Sequence, residues 1–321
     1  MDLRAGAALS AQRALITGAG SQDGSYLAES LLERGYEVVG VVRDASRPYE
    51  HLAGVELVEV DLLDQAALAR VLRQQRPGEV YNLASPSFVP RSWEHPVETA
   101  EFAAVGVTSL LEAVRAVDGG IRVYQASSSE IFGEPAEVPQ TESTPLAPVT
   151  PYGVAKAYGH FIVGSYRRRY GLHASAGILY NHESPRRPED FLPSKVAHAV
   201  ARIANGEEAD LQLGDLDAQR DWGYACDSVE AMRLMLQQDD PGDYVIATGK
   251  LHSVRELVEV AFSHVGLDWQ DYVRVDESLK RGQAELHHLV GDASKARERL
   301  GWQPTVTFEE LVALLVDGAA S

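Results

Sequence analysis

The residues best suited to catalysis lie in the stretch Tyr152-Gly-Val-Ala-Lys156, with the serines Ser127, Ser128 and Ser129 upstream. On a helix, residues four apart share a face, so the Lys156 ammonium would lie beneath the Tyr152 phenol and favour its ionised form. That interaction would make the tyrosine a usable base near neutral pH. A surface pair is the alternative, because a tyrosine and a lysine at this spacing occur on many helices.

A glycine-rich turn follows the first predicted strand and runs into a helix, over Thr17-Gly-Ala-Gly-Ser-Gln-Asp-Gly24. Small residues at this place let the backbone approach a pyrophosphate at the helix N-terminus, whereas a tight turn without a ligand is the alternative. The residues assigned to dinucleotide binding here are Gly18, Ser21, Gln22, Asp23 and Gly24.

Further cofactor contacts are expected where the later strands end. Arg43 would bind the 2′-phosphate of NADP or cover the adenine, while Asp44 beside it would repel that phosphate. Asp61 and Leu62 follow the third strand and are assigned to the adenine, with helix capping as the alternative for Asp61. Leu83, at the end of the fourth strand, completes the set. These residues leave the choice between NADP and NAD open.

The elements that must position these residues alternate strands with amphipathic helices, which indicates parallel βαβ units. The predicted strands are residues 13–17, 37–42, 55–60, 79–83, 121–125 and 173–179, and the predicted later helices are 194–205, 227–237 and 253–265. This pattern predicts an α/β fold with a Rossmann-type doubly wound parallel sheet and a smaller C-terminal α/β substrate domain. The Rossmann domain would comprise residues 1–180 and about 222–248, and the substrate domain about 181–221 and 249–321.

Composition narrows the class of protein. The chain has 321 residues, 45% of them hydrophobic, and a formal net charge of -18, which disfavours nucleic acid or an anionic membrane as a partner. Cys226 is the single cysteine, so an internal disulfide is excluded. Because no apolar run approaches the roughly 18 residues of a membrane span, we expect a cytoplasmic protein.

Several stretches together carry a resemblance to a known family, and they extend over nearly the whole chain. They are Gln22-Asp-Gly-Ser-Tyr-Leu-Ala-Glu29, Glu79-Val-Tyr-Asn-Leu-Ala84, Gln125-Ala-Ser-Ser-Ser-Glu-Ile-Phe-Gly133, Pro151-Tyr-Gly-Val-Ala-Lys156, Asn181-His-Glu-Ser-Pro-Arg-Arg187, Arg220-Asp-Trp-Gly223 and Asp243-Tyr-Val-Ile-Ala-Thr-Gly249. The sequence resembles the extended short-chain dehydrogenases and, among them, the GDP-mannose 4,6-dehydratases.

The resemblance implies a catalytic set of Ser128, Ser129, Glu130, Tyr152 and Lys156. Ser128 stands where a threonine bonds the sugar O4, and Ser129 where the dTDP-glucose enzymes have an aspartate. In the implied reaction Tyr152 takes the O4 proton while hydride leaves C4, and the new ketone acidifies the C5–H bond. Glu130 then removes the C5 proton and assists loss of the C6 hydroxyl, before hydride returns to C6. A solvated loop carboxylate is the alternative for Glu130.

The resemblance also implies a nucleotide-sugar substrate, with Ser87 near the hexose and basic or polar residues on the nucleotide and its diphosphate. The substrate set is Ser87, Asn181, Arg187, Lys195, Arg220 and Arg281. No metal is expected, because the neighbours His287 and His288 would point to opposite faces of a strand.

The chain departs from the family after the second strand, where Arg43-Asp44 replaces two arginines and a long insertion is largely missing. In the family this insertion helps to bind NADP and to form tetramers, so a homodimer is expected here, with a tetramer as the alternative. Three other functions stay open: dehydration of another GDP-sugar such as a GDP-heptose, reduction or epimerisation of a keto-sugar, and non-catalytic sensing of NAD(P). A sensor would be expected to lose the Tyr152–Lys156 pair.

Overall fold

The computed structural model describes residues 12–279 and 289–320. Arg281 and the His287-His288 pair therefore lie outside the described residues. The strands are β1 Arg13–Thr17, β2 Glu37–Val42, β3 Glu56–Glu59, β4 Glu79–Asn82, β5 Arg122–Ala126, β6 Ala174–Leu179, β7 Asn181–Glu183, β8 Leu211–Leu213, β9 Gln219–Arg220, β10 Trp222–Tyr224, β11 Asp243–Ile246, β12 His252–Ser253 and β13 Val273–Val275.

Helices connect and cover these strands. They are α1 Gln22–Glu33, α2 Gln65–Gln75, α3 Arg91–Glu94, α4 Pro96–Ala100, α5 Gly106–Val117, α6 Pro151–Tyr170, α7 Leu192–Ala204, α8 Ala225–Leu236, α9 Val254–His264, α10 Trp269–Tyr272, α11 Ser294–Leu300 and α12 Phe308–Ala319. A π-helical turn, Glu101–Val105, lies between α4 and α5, and short 3₁₀ turns occupy Ser129–Ile131 and Glu277–Leu279.

The central sheet has seven strands in the order β11-β6-β5-β4-β1-β2-β3, and all of its pairings are parallel. The predicted doubly wound α/β sheet is confirmed. Its strand order reverses between β1 and β4, and ligands of such sheets bind at the carboxyl ends of the strands at this switch point. The pairs β7–β10, β9–β12 and β8–β13 form small separate sheets.

Each face of the central sheet is covered by helices, as its continuous apolar strands require. Leu27 and Leu31 of α1 pack with Met232 and Met235 of α8 on one face. The opposite face carries α2, α5 and α6, whose contacts include Leu72, Leu111 and Val163. A further apolar cluster joins α7, α9 and α12 in the second half of the chain. The domain boundaries given above remain a proposal.

The six predicted strands and the three predicted later helices are present, with ends that differ by no more than two residues. Ser253 and Glu256 form a capping box at the start of α9. Pro193 lies in the first turn of α7, where proline is tolerated because it lacks only an amide that this turn leaves unbonded. The strand β11 was not predicted.

Within the described residues, no helix has the length and apolar character needed to cross a membrane. The same residues contain no group of three or more His, Cys, Asp or Glu side chains that could hold a metal ion.

Candidate active site

Tyr152 is the second residue of α6, and the sequence around it specifies how that helix begins. Thr150 caps α6 by accepting a hydrogen bond from the Gly153 amide at 2.9 Å, and Pro151 occupies the first turn. Tyr152 is 7% exposed. The phenol therefore lies at the positive end of a long helix, where negative charge is stabilised.

Glu130 is held against the start of the same helix. β5 ends at Ala126, and Ser128 then caps the short turn Ser129–Ile131 that carries Glu130. The Thr150 hydroxyl donates to Glu130 Oε2 at 3.3 Å. A Cβ atom on Gly153 would come within 2.6 Å of the Glu130 carbonyl oxygen, so only glycine permits this approach. The fold thus brings Ser128, Glu130 and Tyr152 together, and it buries Ser129 beside them.

Lys156 lies one turn below Tyr152, as the spacing predicted. Its ammonium is 5.5 Å from the centre of the Tyr152 ring and donates to the carbonyl of Ala126 at 3.1 Å. The effect of Lys156 on the ionisation of Tyr152 stays a prediction. Burial raises the pKa of Tyr152 to about 12, although a hydrogen bond with Ser128 opposes the shift, and burial lowers the pKa of Lys156 to about 8. For each group, loss of hydration is the largest cause of the shift.

The glycine-rich turn joins β1 to α1 at the switch point. Gly18 has a φ of +70°, and a Cβ there would lie 2.9 Å from the backbone of Ala84. Ser21, which replaces the middle glycine, caps α1 by accepting from the Gly24 amide at 3.1 Å. Gln22 and Asp23 are the first two residues of α1. The five residues assigned to the dinucleotide thus form one turn and one helix N-terminus.

The segment after β2 lies against this turn. Arg43 is exposed, whereas Asp44 directs its carboxylate into its own loop and accepts from the amide and the hydroxyl of Ser46 at 3.0 and 2.6 Å. The Tyr49 ring covers Gly20, where a Cβ would lie 2.5 Å from it, and the Tyr49 hydroxyl donates to the Asp44 carbonyl at 3.1 Å. Sequence reasoning missed Tyr49, because nothing in the local pattern shows which turn it packs on.

The residues predicted for the adenine side follow the neighbouring strands. Asp61 is exposed and accepts from the Leu63 amide at 3.0 Å, while the helix-capping alternative falls to Asp64, which caps α2. Leu62 is buried and Leu83 is partly buried at the end of β4. All three lie at the carboxyl edge of the sheet.

The predicted substrate residues are distributed over several elements. Asn181 opens β7, and Arg187 forms an ion pair with the buried Glu183 at 3.1 Å while its guanidinium lies 3.6 Å from the centre of the Phe191 ring. The charge of Arg187 opposes the rise in the pKa of Tyr152.

Two other predicted residues donate to backbone carbonyls, and a third is exposed on a loop. The Lys195 ammonium on α7 donates to the carbonyl of Gln212 at 3.0 Å, and Arg220 on β9 donates to the carbonyl of Gln219 at 2.6 Å. Ser87 is exposed on the loop after β4. The next residue, Phe88, packs edge to face on Phe191 with ring centres 5.4 Å apart, which joins this loop to the segment that carries Arg187.

A doubly wound sheet with a glycine-rich turn at the switch point, a serine after β5 and a Tyr-x-x-x-Lys pair on the following helix defines an extended short-chain dehydrogenase/reductase. Comparison with known proteins agrees with this class and identifies one family within it. A family model described as GDP-mannose 4,6 dehydratase matches residues 15–315. GDP-mannose 4,6 dehydratase 1 of Arabidopsis thaliana is 48% identical over 95% of this chain and 88% of its own length. The human GDP-mannose 4,6 dehydratase is 44% identical over 94% and 90%.

Solved structures show the same fold. UDP-glucose 4-epimerase of Thermus thermophilus in complex with NAD is 29% identical, with a TM-score of 0.84 over 96% of this chain and 99% of that one. A dTDP-glucose 4,6-dehydratase of Streptomyces venezuelae with NAD bound is 26% identical, with a TM-score of 0.83 over 96% of both chains. By its sequence relatives, the protein belongs to the GDP-mannose 4,6-dehydratase family.

Proposed function

We propose that the protein is an NAD(P)-dependent GDP-mannose 4,6-dehydratase, which converts GDP-mannose to GDP-4-keto-6-deoxymannose with loss of water. The observation that carries the proposal is the placement of Glu130 beside Tyr152 at the start of α6, where a second acid–base group can act on the same sugar. The relatives at 44–48% identity support the choice of GDP-mannose.

The glycine-rich turn fits a nicotinamide dinucleotide. At Gly18 a Cβ would collide with the backbone of Ala84, so the chain keeps this turn free of side chains and close to the sheet. The capped N-terminus of α1 directs amide groups toward the place where a pyrophosphate would bind. When bound, the nicotinamide accepts hydride from C4 of the sugar and later returns it to C6.

NADP is the proposed form of the cofactor. Support comes from the loop after β2, where Oδ1 of Asp44 accepts two hydrogen bonds from Ser46 and the side chain of Arg43 is exposed. A guanidinium suits a 2′-phosphate because it donates two parallel hydrogen bonds.

Arg43→Ala is expected to weaken binding of NADPH by roughly tenfold or more while changing binding of NADH little, because only NADPH carries the 2′-phosphate. Fluorescence titration of the apoenzyme with each dinucleotide measures this. Arg73→Ala, on the exposed last turn of α2, is the matched control and should change neither affinity. An equal loss for both dinucleotides would contradict a role in phosphate recognition.

Tyr152 is proposed to take the proton from the O4 hydroxyl, with Ser128 positioning that hydroxyl. Lys156 stabilises the phenolate by its charge from one helical turn away. The position of Tyr152 in the first turn of α6 adds the helix dipole to the same effect. Together, the Lys156 charge and the helix dipole allow the buried Tyr152 phenol to act as a base.

Glu130 is proposed to remove the C5 proton and to deliver a proton to the departing C6 hydroxyl. Its carboxylate is oriented by Thr150, whose hydroxyl serves both the helix cap and Glu130. Thr150 therefore holds Glu130 at a fixed position relative to Tyr152, so that one bound sugar can be deprotonated at O4 and then at C5. Ser129 is proposed to help orient the hexose.

The nucleotide part of the substrate is proposed to be bound by Asn181, Arg187, Lys195 and Arg220, with Ser87 near the hexose. Arg187 has the strongest support, because its charge acts on Tyr152 and its guanidinium is already oriented by Glu183 and Phe191. The proposal for Arg281 rests on the resemblance alone, since that residue lies outside the described part of the chain.

A homodimer is proposed to form through the exposed apolar face of α4, the π-helical turn and α6. Large side chains stand exposed there, and an open groove of about 520 Å³ runs along the same face between Trp93 and Tyr158. The exposed side chains include Val97 (71% exposed), Val105 (53% exposed), Val154 (55% exposed) and Phe161 (60% exposed). Such a contiguous patch is typical of a surface that meets a partner, and a two-fold dimer is the commonest closed assembly.

Replacing both Val154 and Phe161 by lysine is expected to convert the dimer to a monomer, because the charges would have to be desolvated in the interface. Light scattering coupled to gel filtration measures the mass. Val275→Lys, at another exposed valine, is the control and should leave the assembly unchanged. A monomeric wild-type protein, or a tetramer that survives both lysines, would overturn this choice of face.

The test of the proposed function is incubation of the purified protein with GDP-mannose in deuterated water, with NAD or NADP added. We expect a 4-keto-6-deoxy product with deuterium at C5, as detected by NMR and mass spectrometry. GDP-heptoses and other GDP-hexoses tested in parallel identify a different substrate, and product without loss of water would indicate a reductase or epimerase. Unchanged sugar with every substrate would overturn the proposal.

A further inference from the structure

Two stretches far apart in sequence are docked on each other beside the glycine-rich turn. They are residues 22–29 of α1 and residues 181–187, called here the docking segment. Gln22 Nε2 donates to the carbonyl of His182 at 3.1 Å, and the Ser184 hydroxyl donates to Gln22 Oε1 at 2.8 Å. The first residue of α1 thus has both ends of its amide bonded to the docking segment.

A second set of contacts secures the other end of the docking segment. The Arg186 guanidinium donates to both carboxylate oxygens of Glu29 at 2.7 and 2.8 Å and lies 3.8 Å from the centre of the Tyr26 ring. Both bonds come from Nη2, while Nη1 donates to the Ser25 hydroxyl at 3.0 Å. The docking segment therefore has a defined position relative to α1.

His182 lies between these two sets of contacts and has an unusual environment. Its Nδ1 is 2.7 Å from the carbonyl oxygen of Tyr180, and its Nε2 is 2.9 Å from Oδ2 of Asp23. Neither oxygen has a proton to give when the carboxylate is ionised, so both ring nitrogens must donate. With Asp23 ionised, only the doubly protonated imidazolium satisfies both bonds, so His182 then carries a positive charge.

Asp23 is the partner that this charge neutralises. Burial by itself raises the pKa of Asp23, but the charge and the hydrogen bond of His182 outweigh it and leave the pKa at about 2. Burial likewise lowers the pKa of His182, and the same partner reverses the shift and raises it. The other charged groups that face His182 are Arg187 and Glu183, which pair with each other.

The position of Asp23 gives the pair its consequence. As the second residue of α1, Asp23 places a partly buried carboxylate at the helix end proposed to receive the pyrophosphate. An uncompensated carboxylate there would repel a diphosphate, whereas a neutral ion pair leaves the amide groups and the helix dipole free to attract it.

We propose that His182 is a positioning residue. Its positive charge cancels the negative charge of Asp23, so that binding of the dinucleotide depends on the docking segment being packed against α1. This inference rests on the proposed function, because it assumes that the N-terminus of α1 binds the cofactor pyrophosphate. His182 acts through Asp23 and touches neither reacting atom. Arg187, whose charge acts on Tyr152, lies in the same segment.

The first experiment titrates apoenzyme with NADPH and reads binding by fluorescence and calorimetry. His182→Gln retains a donor for Asp23 but removes the charge, and we expect it to weaken NADPH binding by about tenfold to a hundredfold. The double variant Asp23→Asn/His182→Gln removes both charges and should bind NADPH at least about threefold more tightly than His182→Gln alone. A packing role for His182 would show no such recovery.

The matched control is His264→Gln, which removes a ring that pairs with Asp317 at 2.7 Å away from the glycine-rich turn. It should leave the affinity for NADPH unchanged. A spectroscopic readout tests the charge directly and does not depend on how the variants fold. NMR of protein labelled with nitrogen-15 in histidine should show a ring protonated at both nitrogens at about pH 7, and Asp23→Asn should abolish that signal.

A neutral His182 ring in the wild type at about pH 7 would overturn the inference, as would equal affinities of the single and double variants. These outcomes are separate from failure of the proposed function. If the wild type binds NADPH but leaves every GDP-sugar unchanged, the dehydratase proposal fails and the His182 result is still read from binding. If the wild type does not bind NADPH or NADH, both fail.

Discussion

Tyr152→Phe is expected to lower kcat for GDP-mannose by about 10²- to 10⁴-fold, because it removes the group proposed to take the O4 proton and leaves the fold intact. The ring stays buried and keeps its position in the first turn of α6, which Thr150 caps independently of the phenol. Binding of GDP and of NADPH should change little. The measurement is single-turnover reduction of the bound cofactor, followed by its absorbance.

The same pair of residues sets the pH dependence of this step. With a pKa of about 12 for Tyr152 and about 8 for Lys156, the resting pair at neutral pH is a phenol beside an ammonium. The active pair, a phenolate beside an ammonium, has one proton fewer. Its population rises with pH until the pair loses its first proton near pH 8 and is constant above that. We therefore expect the rate to rise up to about pH 8 and then to level off.

Tyr170→Phe is the matched control for Tyr152→Phe. Tyr170 is the last residue of α6 and is 47% exposed, so its hydroxyl can be removed from the same helix without touching the site. It should keep the wild-type rate and the wild-type pH profile. A Tyr152→Phe enzyme with ordinary activity would show that another group takes the O4 proton.

Glu130→Gln is expected to lower the rate of dehydration by about 10²- to 10⁴-fold while C4 oxidation continues. Glutamine keeps an acceptor for the Thr150 hydroxyl, so the bond at 3.3 Å can persist, but an amide neither removes the C5 proton nor delivers one to the C6 hydroxyl. Reduced cofactor should then accumulate, because its hydride has no acceptor at C6. Exchange of deuterium into C5 should be lost as well.

Two observations decide the role of Glu130. Glu137→Gln, at an exposed carboxylate on the loop that follows, should dehydrate GDP-mannose normally. If Glu130→Gln also did so, Glu130 would be structural and the elimination would need another base. If it blocked C4 oxidation together with elimination, its main task would be to position the sugar for Tyr152.

Local patterns in the sequence were sufficient for most of the fold. The strands Arg13–Thr17 and Glu37–Val42 have the predicted ends, because β-branched runs between helical repeats allow few alternatives. The glycine-rich turn and the spacing from Tyr152 to Lys156 likewise specify their geometry over a few residues. β11 escaped prediction, because a short strand at a sheet edge has no local pattern that separates it from a loop.

The tertiary structure determined the environment of these residues. The spacing of Tyr152 and Lys156 predicts their proximity correctly but not their pKa values, since burial depends on everything packed around them and opposed the expected shift. The approach of Glu130 to α6 required Gly153 and Thr150, which are about twenty positions away.

The sequence by itself determined the class of fold, the proximity of Tyr152 and Lys156, and the family to which the chain belongs, because these depend on residue types at short and regular spacings. Only the tertiary structure could join Asp23 to His182, which lie 159 positions apart, or place Tyr49 on Gly20. Charge compensation depends on distance in space and on the exclusion of water. Neither quantity is local in sequence, and both are set when helices close over the sheet.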